Sequence, residues 1–275
     1  MLTAYFNNEI LPVSEIKIPV NDLIVFRGMG AFDYMRTYNR KPFLLDDHIN
    51  RFLFSCEQLG LKHGFTKPDL EKKIKYLSEI SPLEDSAFRM IMTSGMGATS
   101  LEPGESSLII LTEEVHPYPK SVYEHGIKAK LFQFDRYLPT AKSLTYTQAV
   151  IELQKAKAEG FSEVIYHSNG MITEGTTCNF FIVNHGKLMT PGKNILAGTR
   201  RKFILSWANE LIPSEPRHLY LEDLKTATEA FVTSTTRELL PVVQIDDQVI
   251  GDGKVGEITK KLHQIYLGKI ENEII

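Results

Sequence analysis

The sequence predicts an α+β fold in two parts, and three observations predict it. Short apolar–polar alternations joined by Asn- and Gly-containing turns read as β-hairpins along the chain. Between them lie segments whose apolar residues recur at helical spacing. In the second half strands dominate in a mixed order with no regular βαβ repeat. No GxGxxG follows a strand, which disfavours a dinucleotide fold. A chain of 275 residues can bury one large core or two modest ones.

Taken in order, "LTAYFNNEILP" is a hairpin turning at Asn7-Asn8, and "GAFDYMRTYNRKPFLL" a second, turning at Asn39-Arg40-Lys41. "DDHINRFLFSCEQLGL" sets Ile49, Phe52, Leu53, Cys56 and Leu59 at helical spacing behind an aspartate cap. Another helix follows Pro68, and "SAFRMIMTSG" and "SSLIILTEE" read as strands. These make an N-terminal domain over residues 1–115. The loosely patterned, proline-containing stretch 116–125 reads as a linker, and 126–275 as a second domain. That domain opens with the strand "IKAKLFQFD", the segment "TAKSLTYT" and the helix "QAVIELQKAKAEG". Hairpins turning at Ser168-Asn169-Gly170 and His185-Gly186 follow. A helix in "GTRRKFILSWANEL", a strand pair in "EAFVTSTTRELLPVVQID" and a closing helix complete it.

Composition narrows the function. Apolar residues make up 43% and charged residues 24%, and the net charge is -3, so neither nucleic acid nor an anionic membrane is expected as a partner. Cys56 and Cys178 lie far apart without CxxC spacing, so neither a disulfide framework nor a metal site is expected. The N-terminus has no signal-peptide pattern, and no apolar run approaches the roughly 20 residues that span a bilayer. The expectation is a cytoplasmic protein acting on small molecules.

Lys142 falls where a strand ends and a helix is about to begin. A lone lysine is ordinarily a solvated charge, yet a neutral lysine amine is also the nucleophile of carbonyl chemistry, including the Schiff base with pyridoxal phosphate. That use demands donors for a phosphate, an anion for the ring nitrogen and a cation for a substrate carboxylate. "LAGTRRKF" begins a helix after a glycine, with Thr199 at its start, and "VTSTTREL" gathers Thr233, Ser234, Thr235 and Thr236 at a strand end. Glu174 closes a strand, and Arg51 sits among apolar residues of a helix. Each also has a plain explanation: an ordinary helix start, turn chemistry, a solvated glutamate, and an arginine stem lying on the core.

Together, and in this order, "GAFDYMRTYNRKPFLLDDHINRF", "AKSLTY", "EVIYHSNGMITEGTTCNFFIV", "ILAGTRRKF", "FVTSTTRELLPV" and "DGKVGEITKKL" resemble the fold-type IV pyridoxal phosphate enzymes. That family includes the D-amino-acid and branched-chain aminotransferases and aminodeoxychorismate lyase. The resemblance covers residues 1 to 268 and implies a smaller N-terminal α/β sandwich domain and a larger C-terminal pseudo-barrel. It implies pyridoxal 5'-phosphate as cofactor, a ping-pong aldimine mechanism on amino acids and 2-oxo acids, and a homodimer. Position by position, it implies that Lys142 links to the cofactor and shuttles the proton, and that Glu174 holds the pyridinium. Tyr146 would bond the phenolic oxygen. Arg51, Thr199, Arg200 and Thr235 would bind the phosphate. Arg27, Phe32, Thr236 and Arg237 are placed at the substrate.

Four positions depart from the family pattern. Arg27 stands where relatives carry an aromatic residue, Ser94 where many carry a carboxylate-binding arginine, Arg237 where a small or neutral residue is usual, and Thr145 where asparagine is common. Arg27 either takes over the missing cation, a guanidinium being well shaped to grip a carboxylate, or pairs with a nearby acid. "KSL", "TSTT" and "DGKVGE" look more like the D-amino-acid aminotransferases, so a D-amino acid is the first expected substrate. A branched-chain L-amino acid is second and the lyase reaction third. A binding protein without catalysis has no need of Lys142, Glu174, Tyr146 and Arg51 together.

Overall fold

Turn chemistry sets the hairpins. Asn7 and Asn8 have φ of 47° and 70°, Asn39 and Arg40 48° and 63°, Asn169 and Gly170 47° and 84°, and His185 and Gly186 48° and 71°. Paired positive φ is the type I′ requirement for a two-residue hairpin loop, which Asn and Gly meet at least cost. The second turn is therefore tighter than the sequence suggests: Lys41 already pairs with Tyr38, and only Asn39 and Arg40 are in the loop. Likewise Ser168 belongs to its strand, paired with Met171.

The computed structural model describes residues 1–274. The chain forms two units, one built on Met1–His116 and Ala141–Tyr146, the other on Pro117–Thr140 and Thr147–Asn272. Unit one contains β1 (Thr3–Phe6), β2 (Glu9–Pro12), α1 (Leu23–Arg27), β3 (Gly30–Tyr38), β4 (Lys41–Pro42), α2 (Leu45–Gln58), α3 (Lys67–Ile80), β5 (Ser86–Thr93) and β6 (Leu108–Glu114). Its six strands make an antiparallel sheet in the order β2-β1-β6-β5-β3-β4. Met35, Phe88 and Met90 from the sheet share a buried core with Ile49 and Phe52 of α2 and Leu70, Ile74 and Leu77 of α3. The expected aspartate cap is absent from α2. Leu44, at φ 56°, is its N-cap without a side-chain bond, and Asp46 and Asp47 lie inside the first turn, where they complement the helix dipole. A side-chain cap occurs on α3, where Thr66 and Asp69 bond reciprocally.

Unit two contains α4 (Lys120–His125), β7 (Ile127–Gln133), α5 (Thr147–Ala158), β8 (Glu163–Ser168), β9 (Met171–Gly175), β10 (Asn179–Asn184), β11 (Lys187–Pro191) and α6 (Thr199–Trp207). It continues with β12 (Ser214–Arg217), β13 (Leu219–Tyr220), α7 (Leu221–Leu224), β14 (Glu229–Ser234), β15 (Glu238–Ile245), β16 (Gln248–Val249) and α8 (Glu257–Ile274). The strands run β12-β11-β10-β14-β15-β7-β8-β9-β13, and β10 also pairs with β9. That extra pairing, Asn179 opposite Glu174, closes β10-β14-β15-β7-β8-β9 into a ring. Closure removes the sheet edges inside the ring. It also puts Glu174 on the strand pair that closes it. The stretch 116–125 is not featureless: it carries α4.

Candidate active site

Lys142 lies in the six-residue segment Ala141–Tyr146, which groups with unit one although its neighbours on both sides in sequence belong to unit two. Its backbone explains why. Lys142 N–H donates to Ser55 Oγ at 3.0 Å, its carbonyl accepts from Phe32 N–H at 3.0 Å, and Leu144 N–H donates to the Gly30 carbonyl at 3.1 Å. Gly30 has to be glycine: a Cβ there would sit 2.8 Å from the Met92 carbonyl oxygen and 2.9 Å from Leu144 Cδ1. So the segment is pinned to the start of β3 by bonds that a side chain at position 30 would disrupt. The half-buried Lys142 sets its Nζ 4.5 Å from the centre of the Phe32 ring, and Tyr146 meets the same ring edge-on at 5.5 Å. Lys142, Phe32 and Tyr146 are thus brought together.

His48, Arg51 and Ser55 share a face of α2 with the apolar stripe. Arg51 donates through Nε and Nη2 to both oxygens of Asp33, at 2.7 and 2.9 Å, and His48 Nδ1 lies 2.7 Å from Asp33 Oδ1. Asp33 and His48 are fully buried. Burial alone would raise the Asp33 carboxyl, but the charges of Arg51 and His48 and their hydrogen bonds outweigh it and hold the group well below the usual carboxylate range. Asp33 therefore fixes the direction of the Arg51 guanidinium. Ser55 Oγ donates to the Arg51 carbonyl at 2.7 Å while accepting from Lys142 N–H, which links the backbones of the two residues through one hydroxyl. Arg89 also stands near this cluster, 4.8 Å from the Tyr34 ring and 5.9 Å from that of Phe32. Glu113 holds it at 2.6 and 2.9 Å.

In unit two the Glu174 carboxylate is buried, 3.1 Å from Arg136 Nε, and it accepts from Leu196 N–H at 3.0 Å. The Leu196 carbonyl in turn accepts from the Asn179 side-chain amide at 3.0 Å. Gly198, the N-cap of α6, gives no side-chain cap, and a Cβ there would collide with Asn179 Oδ1 at 1.8 Å. Asn179 thus pairs with Glu174 along the strand and, through its side chain, holds the loop that leads into α6, where Thr199 and Arg200 are buried. Glu174, Asn179 and Thr233 lie opposite one another on three adjacent strands, and the turn holding Thr235 and Thr236 follows Thr233 closely. Beside Glu174 and Arg136 a cavity of about 230 Å3 is lined also by Phe134, Thr173 and Asn194.

A model of the class IV amino-transferases matches residues 30–245. The chain belongs to the class IV aminotransferases. A putative branched-chain-amino-acid aminotransferase of Methanocaldococcus jannaschii is 32% identical over 96% of this aminotransferase and 95% of that protein. A D-alanine aminotransferase of Staphylococcus haemolyticus is 29% identical over 99% of both. Among solved structures, the branched-chain amino acid aminotransferase of Escherichia coli superposes with a TM-score of 0.90 at 25% identity, covering 97% of this chain and 93% of that one. The T.th. branched-chain enzyme, solved with pyridoxamine 5'-phosphate, gives 0.90 at 24%, covering 98% and 93%, which speaks for the fold.

Class IV aminotransferases are pyridoxal phosphate enzymes, and the residues present suit that group. Unit two of this aminotransferase offers a buried carboxylate for a ring nitrogen, a helix start without a side-chain cap for a phosphate, and a buried threonine hydroxyl at Thr235. Two of the positions that depart from the family pattern have partners of their own. Ser94 is fully buried and donates to the Met29 carbonyl at 2.8 Å, which fits it for holding a loop and not for meeting a ligand. Arg237 is buried in an ion pair with Glu163. Arg27 is exposed at the end of α1, its Nη1 touching only the neighbouring Phe26 carbonyl at 3.4 Å; it makes no ion pair among the described residues. Asp33, His48, Arg136, Asn179 and Glu163 join the site only in the fold. The available signal was polar residues on an apolar stripe.

Proposed function

We propose that this aminotransferase moves an amino group between a D-amino acid and a 2-oxo acid, with Lys142 as the catalytic amine. The observation that carries the role of Lys142 is that its backbone N–H and carbonyl are both bonded, to Ser55 and Phe32, with its amine 4.5 Å from the centre of the Phe32 ring. An amine held in this way takes a proton from the substrate Cα and returns it without searching for its position. When bound, pyridoxal phosphate supplies the electron sink for that proton transfer. Glu174, steadied by Arg136 and the Leu196 N–H, presents a fixed negative charge to the ring nitrogen. Arg51, the N–H groups of Thr199 and Arg200, and the Thr235 hydroxyl serve the phosphate. Tyr146 serves the phenolic oxygen. Thr236 and Phe32 border the substrate.

The D preference rests on the "KSL", "TSTT" and "DGKVGE" segments and on end-to-end similarity to D-alanine aminotransferases. A branched-chain L-amino acid is the second reading, favoured by the Methanocaldococcus relative. Mixing the protein in its pyridoxal form with single D- and L-amino acids and following conversion to the pyridoxamine form separates them. D-Alanine or D-glutamate is expected to convert it fastest. Rapid conversion by L-leucine with no response to D-amino acids overturns the first reading. In the same assay Arg27→Ala is expected to weaken apparent affinity for the amino acid about tenfold, the scale of one lost charge-assisted bond. Unchanged affinity places Arg27 outside the substrate site.

A further inference from the structure

Arg237 does not have the surroundings of a substrate cation. We propose that it is a positioning residue that ties the hydroxyl turn Thr235–Arg237 to the loop leaving Glu174, and so governs how tightly the cofactor is held and not which amino acid is accepted. This rests on the assignment of Thr235 and Glu174 to the cofactor.

The connectivity is explicit. Strands β14 and β15 pair as far as Ser234 opposite Glu238, so Thr235, Thr236 and Arg237 form the turn. From it the Arg237 guanidinium reaches Glu163 Oε2 at 2.8 Å and Thr177 Oγ1 at 2.6 Å. Thr177 lies in the loop after Gly175, three residues beyond Glu174. Glu163 is itself fully buried. It accepts from Val164 N–H at 2.8 Å, from Thr176 N–H at 3.1 Å, from the Thr176 hydroxyl, and from Cys178 Sγ at 3.4 Å. One carboxylate thus gathers the whole loop, and Arg237 fastens the turn to it. A buried ion pair is tolerable only when its remaining donors and acceptors are satisfied, as here. Burial works against the Arg237 charge, yet Glu163 holds the guanidinium even more firmly protonated than usual.

The turn needs such a fastening. Glu238, at its end, sits at φ 52°, a left-handed conformation that glutamate rarely adopts unaided. His263 of α8 holds the Glu238 carboxylate at 2.9 Å, and Tyr123 stacks on His263 while donating to the Arg237 carbonyl at 3.3 Å. The turn is therefore anchored on one side by α8 and Tyr123, and on the other by Arg237 through the Glu174 loop.

Two mild variants test the tie. Arg237→Lys keeps the charge opposite Glu163 but loses the fork that also reaches Thr177, and Thr177→Val removes only the loop end of the tie. Each is expected to raise the dissociation constant for pyridoxal phosphate about fivefold, measured by equilibrium dialysis of the apoprotein, the scale of one hydrogen bond. The ratio of apparent affinities for D-glutamate and D-alanine is expected to stay unchanged. Because both variants break the same bond, the double variant should be no weaker than the weaker single one. Unchanged cofactor affinity in both variants, fully additive effects, or a shift in the D-glutamate to D-alanine ratio with cofactor affinity intact overturns the tie. Failure of the wild-type protein to bind pyridoxal phosphate refutes the underlying cofactor assignment instead.

Discussion

Lys142→Ala is expected to lower transamination by at least about 1000-fold, the range a positioned acid–base group supplies. The visible absorbance of the covalently bound cofactor should vanish with it, because among the described residues no other lysine amine lies over the Phe32 ring. The folded protein should survive: Lys142 is held through its backbone N–H and carbonyl, both of which alanine retains. Added methylamine should restore part of the rate, since the missing group is an amine and the truncation removes the atoms it would replace. A variant that keeps its visible absorbance and rate removes Lys142 from the chemistry, whatever the family resemblance.

Asp33→Asn is expected to cost about 3–5 kcal/mol of stability at neutral pH, since it leaves Arg51 buried beside a neutral amide. The pH dependence has a definite sign. The Asp33 carboxyl is depressed in the folded state, so its contribution is fully present above the ordinary aspartate value of about 3.9 and is lost as pH falls below it toward the folded value. The gap between wild type and Asp33→Asn in urea unfolding should therefore be widest at neutral pH and narrow below about pH 4. A gap that is constant with pH means that Asp33 acts through packing and not through charge. Cofactor affinity should fall in the same variant, because the Arg51 guanidinium loses the carboxylate that aims it.

Local features of the chain were readable wherever neighbours in sequence decide the outcome. The turns at Asn7-Asn8 and His185-Gly186 follow from residues that accept positive φ, and the stripe of α2 follows from its spacing. The helix start at Thr199, with a glycine before it, was visible for the same reason. The N-cap of α2 is not legible in sequence, because aspartates one or two residues inside a helix resemble a cap, while the backbone at Leu44 shows where the helix begins. The ordered set of Arg51, Lys142, Glu174 and the hydroxyl cluster was enough to indicate the family.

The sequence by itself determined the α+β class, the hairpin turns and the class IV aminotransferase family. Those properties depend on local φ preferences, on periodicity and on residue types kept in order. Only the tertiary structure decided that Ala141–Tyr146 is pinned to β3, that Asp33 and His48 aim Arg51, and that Ser94 is committed to a backbone carbonyl. It alone showed Arg237 facing Glu163, 74 positions earlier in the chain. Such partners meet through strand pairing and burial, and a buried charge chooses whichever opposite charge the fold brings within reach, regardless of the separation in sequence.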